Sequence, residues 1–170
     1  VKTAYFITGG PGSGKTTLIR QVVSTMRMRA GGFYTEDLQT SGTREGFRIV
    51  TLDGQPALLA RAHHPGSVQV SKYGVDLPEL ERVGVRALRE AMERGHVMVV
   101  DEIGRMQLFS CAFRQVIQQA LDGGHPVLGT LIQGRHPHAD KIRRHPRAEV
   151  LTLTPDNRQE ILAFLRTKFV

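Results

Sequence analysis

The stretch "FITGGPGSGKTT", residues 6 to 17, decides how the rest of the chain is read. Within it, Gly9-Gly10-Pro11-Gly12-Ser13-Gly14-Lys15-Thr16 fits G-x-x-x-x-G-K-[ST] in full, and Thr17 follows directly. An apolar run, "AYFIT" (4–8), comes before the loop. Leu18, Ile19, Val22, Val23 and Met26 follow it at helical spacing. Glycines let successive backbone N–H groups turn inward and approach phosphate oxygens with no Cβ in the way. The start of the following helix adds partial positive charge. Lys15 has the reach for β- and γ-phosphates, and the Thr16 hydroxyl suits Mg2+. The pattern predicts a nucleoside triphosphate site built from residues 9 to 17. The loop recognises phosphates and not the base, and no N-K-x-D run, which would read guanine, occurs in the chain.

A second stretch, "VMVVDEIGRMQLFS" (97–110), says where the phosphoryl group goes. An apolar strand ending in an aspartate is the Walker B arrangement, in which Asp101 holds Mg2+. Glu102 follows at once, at the strand end that borders the ligand cleft in sheets of this kind. A second carboxylate there can orient and deprotonate a water that attacks the γ-phosphorus. Phosphoryl transfer also needs positive charge near the γ-phosphate. Arg105, three residues past Glu102, is the first candidate, and Arg135, Arg143 or Arg144 from a lid over the triphosphate are the alternatives. Two further readings stay open: a nucleotide or small-molecule kinase, and an NTP-dependent nucleic-acid-binding protein.

The scaffold follows from the apolar pattern. Four runs, at 4–8, 97–101, 126–131 and 149–153, are nearly continuously apolar and read as strands of a parallel sheet buried on both faces. Helical stripes lie between them, among them Leu80, Ala87, Leu88, Ala91 and Met92. The expectation is a three-layer α/β fold with a mostly parallel sheet, forming one domain over residues 1–170. Residues 31–62 break the alternation with β-rich runs and "DG" turn signals, and read as a small antiparallel insertion after the first helix.

Composition narrows the partners. The chain has 170 residues and a formal net charge of +7. Its one local basic concentration, "GRHPHADKIRRHPR" (134–147), has no interleaved aromatic residues, so a phosphate-bearing small molecule is expected rather than nucleic acid. No apolar run has membrane-spanning length, no secretion signal is expected, and the lone Cys111 suits a reducing, cytoplasmic compartment. A monomer is expected, because no heptad seam demands a partner. Cys111, beside Ala112 and Phe113, reads as a buried core thiol. Asp156 or Asn157 reads as the cap of the last helix. His136, His138 and His145 lack a known zinc spacing.

With these residues in view, the chain resembles the small nucleoside-triphosphatase family first known from thermophiles and found in animals as the cancer-related nucleoside-triphosphatase. The likeness runs over nearly the whole length, through "GGPGSGKTTLI" (9–19), "GFYTEDL" (32–38), "GFRIVTLDG" (46–54), "VSKYGVDLPELE" (70–81), "VVDEIGRMQLFS" (99–110) and "LTPDNR" (153–158). The resemblance implies a RecA-like sheet and slow, Mg2+-dependent hydrolysis of several nucleoside triphosphates to diphosphate and phosphate. It also implies that Asn157 and Arg158 lie near the nucleotide base. Glu36, in "GFYTE", is a candidate for ordering water or Mg2+. The chain departs from the family at Arg105 and Gln107, where lysine and glutamate are usual, and at Leu131-Ile132, where Ile-Pro is frequent.

Overall fold

The computed structural model describes residues 1–66 and 68–170. Among them, nine strands form one sheet: β1 (Ala4–Thr8), β2 (Ala30–Thr40), β3 (Thr43–Thr51), β4 (Pro56–Ala62), β5 (Gln69–Val70), β6 (Tyr73–Val75), β7 (Val97–Ile103), β8 (Val127–Leu131) and β9 (Ala148–Thr152). Their spatial order is β5-β6-β4-β3-β2-β7-β8-β1-β9. The strands β2, β7, β8, β1 and β9 pair in parallel, as expected for runs connected through helices. On the other side of β2, the strands β3, β4, β6 and β5 add an antiparallel wing.

Helices cover the two faces. On one face, α1 (Lys15–Thr25) and α7 (Arg158–Lys168) bury Leu18, Ile19, Val22, Ile161, Leu162 and Leu165 against Tyr5, Ile7, Val99 and Leu128. On the other, α3 (Arg86–Glu93) and α5 (Cys111–Asp122) press Leu88, Phe113, Val116 and Ile117 onto Phe6, Phe33, Met98 and Val100. Alternate residues of β1 and β7 thus serve opposite cores, which explains why both strands are apolar throughout. Each large side chain buried in this way contributes about 1.5–3 kcal/mol. The short helices α2 (Leu77–Glu79), α4 (Arg105–Leu108) and α6 (Pro137–Arg143) complete the chain. No helix among the described residues is long and apolar enough to cross a membrane.

Three details differ from the sequence reading. The stretch expected as an inserted antiparallel ribbon begins with a central strand: Ala30–Phe33 of β2 pair in parallel with β7, and the same strand then runs on into the wing with β3. The wing also reaches Val75, past the expected limit at 62. The run at 149–153 forms an edge strand, β9, whose residues are mostly half-buried because it pairs only with β1. Finally, the stripe through Leu80 passes through a π-helical segment, Leu80–Val85. Val83, Gly84 and Val85 are buried in succession there, a broader buried face than the single apolar stripe of a surface helix. Gly84 lets that face lie against the core, for a Cβ there would stand 2.9 Å from Ile49 Cδ1.

Candidate active site

The glycine-rich loop joins the end of β1 to the start of α1. Gly12 and Gly14 have φ of 72° and 87°, a left-handed conformation that side chains with a Cβ rarely adopt. Gly14 holds the N-cap position and offers no side chain to the first turn, which also lacks an acidic residue. The first N–H groups of α1 therefore remain available to an anion. Ser13 Oγ is buried without a hydrogen-bond partner among the described residues. Lys15 Nζ donates to the carbonyls of Gly9 at 2.7 Å and Gly10 at 3.4 Å, so the ammonium lies across the loop. Gly9 and Gly10 line its base, and Pro11 and Gly12 form its exposed tip. Thr17 is exposed on α1.

Thr16, one residue into α1, turns its hydroxyl to Asp101 and donates to Oδ2 at 2.7 Å. The other carboxylate oxygen accepts from Thr130 Oγ1 on β8, also at 2.7 Å. Thr35 on β2 donates to the Asp101 carbonyl at 2.6 Å. Asp101 is only 3% exposed, and burial pushes its carboxyl above the ordinary range. The two hydroxyls, Arg20 and Lys15 act in the opposite direction without cancelling that shift. A buried carboxylate held only by hydroxyl donors, beside a helix N-terminus, is a hard oxygen site that suits Mg2+.

The register between β7 and β8 shifts between Val100 and Ile103, where β7 carries one residue more than its partner. Asp101 and Glu102 sit in this bulge, and such an irregularity re-aims side chains at the end of a strand. The Asp101–Glu102 peptide is cis. Glu102 lines a cavity of about 230 Å³ together with Arg105, Thr35, Phe47, Leu59 and Val70. Burial raises the pKa of its carboxyl, the neighbouring Asp101 raises it further, and Lys15 partly opposes them. Among the described residues no side chain hydrogen-bonds to Glu102. Arg105 is exposed at the start of α4, at the rim of the same cavity.

The remaining candidates divide. Glu36 accepts from Arg20 at 3.1 Å and from Arg48 at 2.9 Å, a half-exposed ion cluster tying α1 to the wing. Arg143 is bonded to Asp140 and to the Ile132 carbonyl, so of the three lid arginines it has a structural occupation. Asn157 occupies the N-cap position of α7, but its side chain turns back instead of capping. It accepts from Thr154 N and donates to the Thr152 carbonyl, which closes the preceding loop. His136 caps α6 through His138 N at 3.2 Å. Cys111, expected in the core, is exposed at the first position of α5 and is not part of its buried stripe, which includes Phe113, Val116 and Ile117.

Two residues of the site, Thr35 and Thr130, did not stand out in the sequence, and Arg158 was named there only through the family likeness. Thr35 and Thr130 hold Asp101 from the two strands beside β7, and Arg158 Nη1 donates to the Gly14 carbonyl at 3.1 Å. Thr130 carried a faint signal, a lone hydroxyl within the apolar run 126–131.

Comparison with known proteins agrees with this fold. A family model described as NTPase matches residues 4–165. Nucleoside-triphosphatase THEP1 of Thermotoga petrophila is 43% identical over 156 residues, 92% of this chain and 87% of that protein. The cancer-related nucleoside-triphosphatase homolog of Bos taurus is 38% identical, with 92% of this chain and 91% of the other covered. The crystal structure of THEP1 from the hyperthermophile Aquifex aeolicus superposes with a TM-score of 0.87 at 35% identity, covering 97% of this chain and 98% of that one. With a full G-x-x-x-x-G-K-[ST] loop, a buried strand-end aspartate and matches along nearly its full length, the chain belongs to the NTPase family and its reaction class is nucleoside-triphosphate hydrolysis.

Proposed function

We propose that the chain hydrolyses ATP, GTP, CTP and UTP, with Mg2+, to the nucleoside diphosphate and phosphate. The observation that carries this reading is Glu102: a carboxylate next to Asp101, with no side-chain hydrogen-bond donor among the described residues, with its pKa raised, in a cavity shared with Arg105. A base of that kind is suited to take the proton of a water as its oxygen attacks the γ-phosphorus. The backbone of residues 9–16 and the Lys15 ammonium bind the phosphates, Thr17 in the first turn of α1 extends that contact, and Arg105 offsets the charge that develops on the γ-oxygens. Thr16 and Asp101 would hold Mg2+, which when bound neutralises charge on the β- and γ-phosphate oxygens. Tolerance of the base rests on the lack of an N-K-x-D run. The same reading takes the enzyme as a cytoplasmic monomer of one domain.

The test is phosphate release with each of the four nucleotides, for the wild type and for Glu102→Gln. The variant should lose about 10²- to 10⁴-fold in kcat while still binding nucleotide, the range for removal of a general base. Hydrolysis at the wild-type rate in Glu102→Gln would remove Glu102 from the mechanism. Turnover that appears only when a nucleoside or nucleotide acceptor is added would make the protein a kinase.

A further inference from the structure

Away from the phosphate loop, α5 and α6 enclose a cavity of about 230 Å³ that the hydrolytic reading does not use. Its floor is apolar: Leu108, Ile117 and Ile142, each at most 6% exposed. Its rim carries two cations, Arg114 and Lys141, with the His138 imidazole beside them. None of the lining residues is acidic. Of the acidic residues of the two helices, Asp140 is bonded to Arg143, and Asp122 is bonded to His145 and to the lining residue Gln118, within reach of the Lys141 charge at the edge of the cavity. Arg114 Nη1 donates to the Leu108 carbonyl at 2.7 Å, which fixes the guanidinium at the cavity and leaves its other N–H groups free to donate. The His138 imidazole is held below its ordinary pKa by burial and then by Arg114, His136 and Lys141, a sign of the positive potential at this mouth.

We propose that this cavity binds a small amphipathic carboxylate: an apolar body on Leu108, Ile117 and Ile142, and an anionic head between Arg114 and Lys141. The floor takes the part of the ligand that water disfavours. The planar guanidinium fork matches a carboxylate, and Lys141 adds a point charge. The volume limits the ligand to on the order of ten heavy atoms, below the usual range for drug-sized sites and too small for a helix of a protein partner.

Cys111, the one cysteine of the chain, is exposed and lines the cavity, so it reports occupancy. Its thiolate displaces iodide from iodoacetamide to form a thioether, and the rate of that alkylation is the readout. The probes are 4-phenylbutanoate and 4-phenylbutan-1-ol, which differ only in the head group. The carboxylate should slow alkylation in a saturable way, with an apparent affinity about tenfold above that of the alcohol, as a charge-assisted pair implies. Lys141→Gln should reduce that preference severalfold, with phosphate release and the thermal melt unchanged, because Lys141 is exposed and unbonded among the described residues. A calorimetric titration of 4-phenylbutanoate should give the same constant. Equal protection by acid and alcohol, equal protection by inorganic phosphate, or no protection up to the solubility limit would each overturn the proposal.

Discussion

Asp101 is the residue on which the site turns, since hydroxyls from three separate elements converge on it. Thr130 makes the most exposing test, because it is completely buried and its hydroxyl serves only the Asp101 carboxylate. Thr130→Val keeps the shape and removes the donor, leaving one buried carboxylate oxygen short of a partner. The variant should lose about 1.5–3 kcal/mol of stability, read from the urea midpoint, and should need more Mg2+ for half-maximal phosphate release. A midpoint equal to the wild type would mean that the bond contributes nothing. The phosphate loop, Asp101 and Glu102 were legible in the sequence because their signals are contiguous in the chain. Thr35 and Thr130 were not, because each reaches the site only through the order of the strands; Arg158 was named only through the family likeness, and its bond to the Gly14 carbonyl depends on the packing of α7. Cys111 was misread because adjacent apolar letters on a helix do not share a face; Phe113 turns inward and Cys111 does not.

At the scale of elements, β2 is the joint between the parallel core and the antiparallel wing. Gly32 makes that passage possible: it has φ of 124°, and a Cβ there would stand 1.9 Å from the Val99 carbonyl oxygen on β7. No rotation of a side chain relieves a clash with backbone, so Gly32→Ala should cost more than about 4 kcal/mol, beyond the ordinary range for point variants. Differential scanning calorimetry should find no cooperative transition near that of the wild type. By contrast, Glu36→Gln breaks an exposed ion cluster and should change stability by less than about 1 kcal/mol in the same experiment. Periodicity identified β1, β7 and β8 because both faces of each are buried. It could not find the central half of β2, whose "AGGFYT" opening has glycines where apolar side chains would otherwise mark a buried strand. Nor could it find the π-helical segment, since a change of period within one helix looks like noise in a short window.

For the molecule as a whole, two apolar layers sandwich the sheet, and the proposed Mg2+ residues Thr16 and Asp101 stand at a strand end outside them. Chelation with EDTA should therefore abolish phosphate release while leaving the far-ultraviolet circular dichroism unchanged, and excess Mg2+ should restore the rate. Release that continues in EDTA would exclude the proposed cofactor. The strand order also has a temporal consequence. β1 pairs only with β8 and β9, which lie more than a hundred residues downstream, whereas β2, β3, β4 and β7 find each other within residues 30–103. During vectorial synthesis the wing and β7 can assemble while the first 25 residues still wait for partners. The glycine-rich loop hangs on β1, so its seating waits on strands that are made after the wing and β7.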